Sequence, residues 1–198
     1  MQEIHFPVTF QFKISTLAND FTAKDSSGKP IAYVRQKMFK LKEDISIYEN
    51  DTKSKLNYKI KADKWLDFST AYSFFDEKDK EFGKVARKGW KSLWNAHYEI
   101  IDQYEKQQYV INEKNPWVKV LDSLLGEIPV LSFFTGYLFN PTYLVKNNEG
   151  KTVVELKKLK SFFGRNFEVS KIGELDSDDD DRVMLSLMMF VLLERRRG

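Results

Sequence analysis

Phe6, Val8, Phe10 and Phe12 alternate with Pro7, Thr9 and Gln11. A period of two is the mark of a strand buried on one face, with proline confined to its start. Leu56, Tyr58 and Ile60 alternate with Asn57, Lys59 and Lys61, and Phe167 and Val169 with Glu168 and Ser170. Aromatic and β-branched residues fill most such windows, as a pleated, half-buried surface prefers. The pattern predicts about twelve strands, near 6–12, 20–25, 31–37, 44–48, 56–61, 68–75, 81–86, 97–102, 107–112, 137–146, 152–156 and 165–171.

Between several of these lie short turn segments. Phe21 to Lys29 runs as a strand into Asp25, two serines and Gly28, and Tyr143 to Lys151 repeats it with Asn147 and Gly150. Tyr72–Asp76 opens in the same way, with its glycine displaced to Gly83, and Tyr98–Asp102 opens so with no glycine. Asx and Gly suit tight hairpins because they tolerate positive φ. The expectation is a degenerate hairpin unit used about four times.

Two segments break the β pattern. Asn115 and Pro116 stand where a cap and a first helical residue belong, Gly126 where a helix ends, and Trp117, Leu121, Leu124 and Leu125 share a face. This predicts a short amphipathic helix within a 113–136 insertion. The second segment, Val183–Leu193, is apolar except for Ser186, with Asp178–Asp181 before it and Glu194–Arg197 after it. Carboxylates at the start and guanidinium groups at the end both favour the helix dipole.

The helix over 183–193 has no polar face, so it is buried on all sides or lies in a membrane. Eleven residues fall short of the ~20 needed to span a bilayer. A helix with its side chains is about 10–12 Å across, more than an eight-stranded barrel can hold. Enclosing it takes a closed sheet of about eleven strands or more, which the strand count supplies. The expected fold is therefore mainly β: a closed barrel of about twelve strands around a central hydrophobic C-terminal helix, one domain over 1–198. Deleting the helix should unfold it. A surface-docked helix, or one given to a partner, is the competing arrangement.

Composition narrows the chemistry. The 198 residues include no Cys and two His, His5 and His97. This excludes disulfides, thiolate catalysis, thiolate metal sites and a three-His zinc centre. No nucleotide-binding glycine pattern and no nucleophile elbow occurs. Met1–Phe12 lacks the basic start and apolar stretch of a signal peptide. A cytoplasmic, soluble monomer without cofactor is expected. The formal charge is +3. Residues 1–173 carry 28 cations against 22 anions, mildly basic but without the clustering of a nucleic-acid protein.

The hairpin series Phe21–Ile47, the stretch Tyr72–Ile101 with Gly83-Lys-Val-Ala-Arg-Lys-Gly-Trp-Lys-Ser-Leu-Trp94, the hairpin Tyr143–Val169 and the closing helix Val183–Leu193 resemble the LURP-one-related proteins. Through them the chain is similar to the tubby C-terminal-like superfamily, which includes the phospholipid scramblases. The resemblance covers nearly the whole chain apart from 113–136. It implies a twelve-stranded barrel around a central helix. Tubby proteins bind phosphoinositide headgroups through basic residues, none of which aligns to a position here. Scramblases carry palmitoylated cysteines, which this chain lacks, and an acidic calcium segment before the last helix, where Asp176–Asp181 stands here. Its spacing is not that of an EF-hand, since Asp181 takes the glycine position and Leu187 that of the glutamate.

Several constellations remain. Arg87, Lys88 and Lys91 flank Trp90 and Trp94. Such a set could hold an anionic headgroup with indole at a membrane interface, or it could be a strand and turn with solvated cations. Arg87, Lys88, Trp90 and Lys91 are the candidate ligand-binding residues, with anionic membrane lipid the candidate partner. Asp176–Asp181 could bind a cation or simply cap the helix. His97 could be a base, but a structural histidine is the expectation. A non-enzymatic binding module is the expected function. Its alternatives are a protein-interaction scaffold using Pro129–Phe139, and an enzyme using carboxylates such as Asp102 or Asp122.

Overall fold

Alternation of buried and partly exposed residues gives twelve strands in the computed structural model, which describes residues 4–13, 19–36, 44–63, 70–87, 97–114, 141–159, 166–175 and 177–197. They are β1 (Val8–Phe12), β2 (Phe21–Lys24), β3 (Pro30–Gln36), β4 (Asp44–Tyr48), β5 (Leu56–Ala62), β6 (Ala71–Phe75), β7 (Glu81–Arg87), β8 (His97–Asp102), β9 (Gln107–Glu113), β10 (Thr142–Asn147), β11 (Thr152–Leu159) and β12 (Asn166–Lys171). A helix, α1 (Ser177–Arg197), follows. Each strand pairs antiparallel with its neighbours in sequence, and β1 pairs with β12, so the sheet closes. At the seam Val8 faces Val169 and Phe10 faces Phe167. Closure leaves no unpaired edge to attract another strand.

The helix fills the barrel. All ten residues from Val183 to Leu192 are at most 1 % exposed. Their neighbours come from around the wall. Tyr98 of β8 and Tyr143 of β10 meet the Phe190 ring edge-on, with centroids 5.2 and 4.5 Å away. Tyr58 of β5 and Tyr109 of β9 bond the first turns of α1, and Arg195 stacks on Phe12 of β1 at 4.5 Å. Ser186 is fully buried, and its hydroxyl donates to the Arg182 carbonyl at 2.7 Å. That bond is how the lone polar residue of an apolar helix avoids the cost of an unmet hydroxyl. The helix is longer than the apolar run. Asp178–Asp181 and Arg195–Arg197 lie inside it instead of flanking it, where opposite ends of the dipole favour each charge.

An up-and-down barrel sorts its connections to alternate ends. At one end are five tight turns, joining β2–β3, β4–β5, β6–β7, β8–β9 and β10–β11. All five use one device. The Asx side chains of Asp25, Asn50, Asp76, Asp102 and Asn147 each accept the amide two residues on, at 2.8–3.1 Å. In four turns the same oxygen also accepts the amide four residues on. The residue three positions after the Asx has φ between 58° and 82° in every case: Gly28, Lys53, Asp79, Glu105 and Gly150. The repeat is therefore fivefold, not fourfold, and Gly83 is not a displaced turn glycine. It sits within β7 against α1, where an added Cβ would meet Arg182 Cδ and the Ile101 carbonyl at 2.7 Å.

The other six connections, 14–18, 37–43, 64–69, 88–96, 115–140 and 160–165, lie outside the described residues, and the strand ends they join all belong to the opposite end. The helix expected near 116–126 falls among them. The helix α1 enters at the tight-turn end and finishes at this second end. No helix among the described residues is long and apolar enough to cross a membrane.

Candidate anion-binding end

Strand β7 ends on Arg87, which faces Tyr98 of β8 across the ladder. Tyr98 is fully buried and packs on Phe190, so Arg87 belongs to the inward row at the barrel mouth and is partly buried there. Lys158 of β11 pairs with inward-facing Phe167 at the same end. Arg195 projects from the last turn of α1 over the Phe12 ring. Glu194 accepts the Tyr143 hydroxyl proton at 2.9 Å, and Glu113 is buried at the end of β9. Burial, and then the nearby carboxylates of Glu194 and Glu113, push the Tyr143 phenol well above its usual range. The mouth thus holds three cations and two carboxylates, and all five already engage neighbours within the fold.

Of the four candidate ligand residues, Arg87 is placed at this mouth. Lys88, Trp90 and Lys91 lie outside the described residues, in the connection that continues from it. The run Arg195–Arg197, whose charges favour the helix dipole, reaches the same end. Sequence periodicity alone could not reveal that juxtaposition, because it depends on the direction in which α1 threads the barrel.

On the wall, Lys59, Lys61 and Lys84 are balanced locally. Asp79 receives Lys59 at 2.8 Å and Lys61 at 3.4 Å, and Lys84 meets Glu105 at 2.7 Å. The lysine bonds and charges outweigh desolvation and hold the Asp79 carboxyl below the usual carboxylate range.

The remaining candidates have structural partners. Asp102 accepts the Tyr104 and Lys106 backbone amides and, through Oδ2, the Gln108 side-chain Nε2 at 2.7 Å. Burial raises its pKa, but these bonds and the Arg182 charge prevail and hold the carboxyl low. It is a turn carboxylate that stays ionised, the opposite of a raised general acid. Asp122 and Pro129–Phe139 lie outside the described residues. His97 Nδ1 lies 2.8 Å from Asn112 Oδ1 on the neighbouring strand.

Asp179, Asp180 and Asp181 of the acidic tract fix the helix. Asp179 accepts the Tyr109 hydroxyl proton at 2.8 Å and pairs with Arg182. Asp181 accepts the Tyr58 hydroxyl proton at 2.5 Å. Asp180 faces Lys171 at 3.8 Å. Asp176 is outside the described residues, and among these residues no group of three His, Cys, Asp or Glu is arranged to hold a metal ion. No family model, curated protein or solved structure matches this chain.

Proposed function

We propose that this protein is a non-enzymatic binding module that presents the mouth end of its barrel to anionic phospholipid headgroups at a membrane surface. The observation that carries the reading is the convergence of Arg87 at the end of β7 with the Arg195–Arg197 end of α1. The connection that leaves Arg87 contributes Lys88, Trp90 and Lys91 to the sequence at that point, and all four tryptophans, Trp65, Trp90, Trp94 and Trp117, fall in connections joined to strand ends on this side. Indole is favoured at the headgroup level, and each basic residue near an anionic leaflet contributes about 1 kcal/mol. With the lumen filled, binding is at the rim of the mouth, where β7 and α1 both end.

Co-sedimentation of the full chain with vesicles tests this. Binding to phosphatidylserine-containing vesicles, little binding to phosphatidylcholine alone and a steep loss with added salt are expected. Changing Arg87, Lys88 and Lys91 to Glu should abolish the charge-dependent part. Equal binding to both vesicle types, or an unaffected triple variant, defeats the proposal.

A further inference from the structure

The mouth carries two carboxylates that neither the barrel nor the proposed lipid contact calls for. Glu113 ends β9 on the inward row, facing Tyr143 of β10, and is 6 % exposed. Glu194 reaches the same ring from α1 and accepts its hydroxyl proton at 2.9 Å. A phenol has one proton to donate, so Tyr143 serves Glu194. The charge of Glu113 is also felt at the Tyr143 hydroxyl. Two like charges therefore converge where water is largely shut out. A carboxylate so buried is stable as an anion only beside a cation.

Strand register shows which cations are in reach. Arg87 faces Tyr98, and Tyr98 faces Ile111, two residues before Glu113 on the same inward row. Only β8 separates β7 from β9, so the two strands run about 10 Å apart, a gap that an arginine and a glutamate side chain together can cross. On the other side, Tyr143 faces Leu156 of β11, two residues before Lys158 on its inward row. Arg195, the third cation of the mouth, is turned to the Phe12 ring on β1. Arg87 and Lys158 are partly buried and engaged within the fold, as are Glu113 and Glu194.

We infer that Glu113 and Glu194 are built-in counter-anions that hold Arg87 and Lys158 inward, and that an anionic headgroup must displace them to bind. This rests on the mouth being the membrane-facing end. In the free protein the two carboxylates stand where a headgroup phosphate stands at the membrane. Drawing the cations outward leaves Glu113 buried without them, and that cost sets a threshold. A weakly anionic surface leaves the set closed, and a strongly anionic one opens it.

Co-sedimentation of the full chain with vesicles of increasing phosphatidylserine content tests this. Glu113→Gln and Glu194→Gln keep the size of each side chain, and Glu194→Gln keeps an acceptor for Tyr143. Each should bind about fivefold tighter than the parent, the worth of one freed basic residue near an anionic leaflet, and should reach half-binding at a lower phosphatidylserine content. Glu168→Gln, on the outward row of β12, removes an equal charge and should change binding little. In a chain that also carries Arg87→Gln and Lys158→Gln, neither mouth substitution should matter. Thermal unfolding checks that each variant is folded, and partly exposed Glu194 carries the test should the Glu113 variant not fold. A parent that ignores anionic vesicles defeats the membrane reading and this inference together. A parent that binds, with mouth variants that bind no tighter, overturns this inference alone. So does a gain that Glu168→Gln matches, or one that persists without Arg87 and Lys158.

Discussion

At the scale of single residues, the two kinds of glycine in this chain answer to different forces. Gly150 sits at φ 78° with nothing within 4 Å of the place a Cβ would occupy. Its role is conformational only, since L-residues pay for the left-handed region. Gly150→Ala should lower stability by about 1 kcal/mol, and Gly150→Asn should recover most of the loss, because Asn tolerates that region; the urea midpoints of the two variants decide. Gly83 is constrained in space as well as in conformation, since its φ is 154° and a methyl there meets Arg182 and the Ile101 carbonyl at 2.7 Å. Lys53, Asp79 and Glu105 hold the same positive φ as Gly150 without being glycine. The Asx bond from the turn's first residue fixes the backbone strongly enough to override side-chain preference, which is why the sequence signal of this repeat is so faint.

At the scale of elements, α1 and the wall are locked by ring and carboxylate contacts at matching heights. Tyr58 and Tyr109 hold its first turns through Asp181 and Asp179, and Tyr143 holds its last through Glu194. Phe190, fully buried between Tyr98 and Tyr143, anchors the half of the helix nearer the mouth. Phe190→Ala leaves a cavity that the encircling sheet cannot collapse to fill. Such truncations cost about 3–5 kcal/mol, much of a typical net stability of 5–15 kcal/mol. Thermal unfolding of that variant should begin many degrees lower than in the parent; a shift of only a degree or two would mean the helix is not gripped as described.

At the scale of the whole molecule, the buried hydroxyls set a pH limit. Burial, then hydrogen bonds and nearby carboxylates, raise the phenols of Tyr33 and Tyr58, and burial with Glu194 and Glu113 raises that of Tyr143. The folded chain therefore keeps protons that the unfolded chain gives up near the ordinary tyrosine value of about 10. The contribution is fully present below that value, and stability falls as pH rises through it. Denaturant midpoints should hold steady from neutrality to pH 9 and drop progressively beyond pH 10, with Tyr143→Phe reducing the drop. An unchanged midpoint at pH 11 would contradict the burial of these hydroxyls. The molecule also has two unlike ends, one of five short turns and one that gathers six longer connections and the basic end of α1.

Periodicity along the chain was enough to determine the twelve strands, the apolar C-terminal helix and the need for a sheet wide enough to enclose it. These are local or volumetric properties: alternation dictates which face is buried, and a helix without a polar side must be surrounded. The strand boundaries 44–48, 97–102 and 165–171 lie within a residue of the observed elements. Only the tertiary structure decided which side chains meet. It placed Arg87 on the inward row, gave the Asp179 and Asp181 carboxylates to tyrosines 70 and 123 residues away in sequence, and engaged Asp102 in a turn. Those contacts depend on register and on the direction in which the helix threads the barrel, and neither is written in the spacing of residues along one strand.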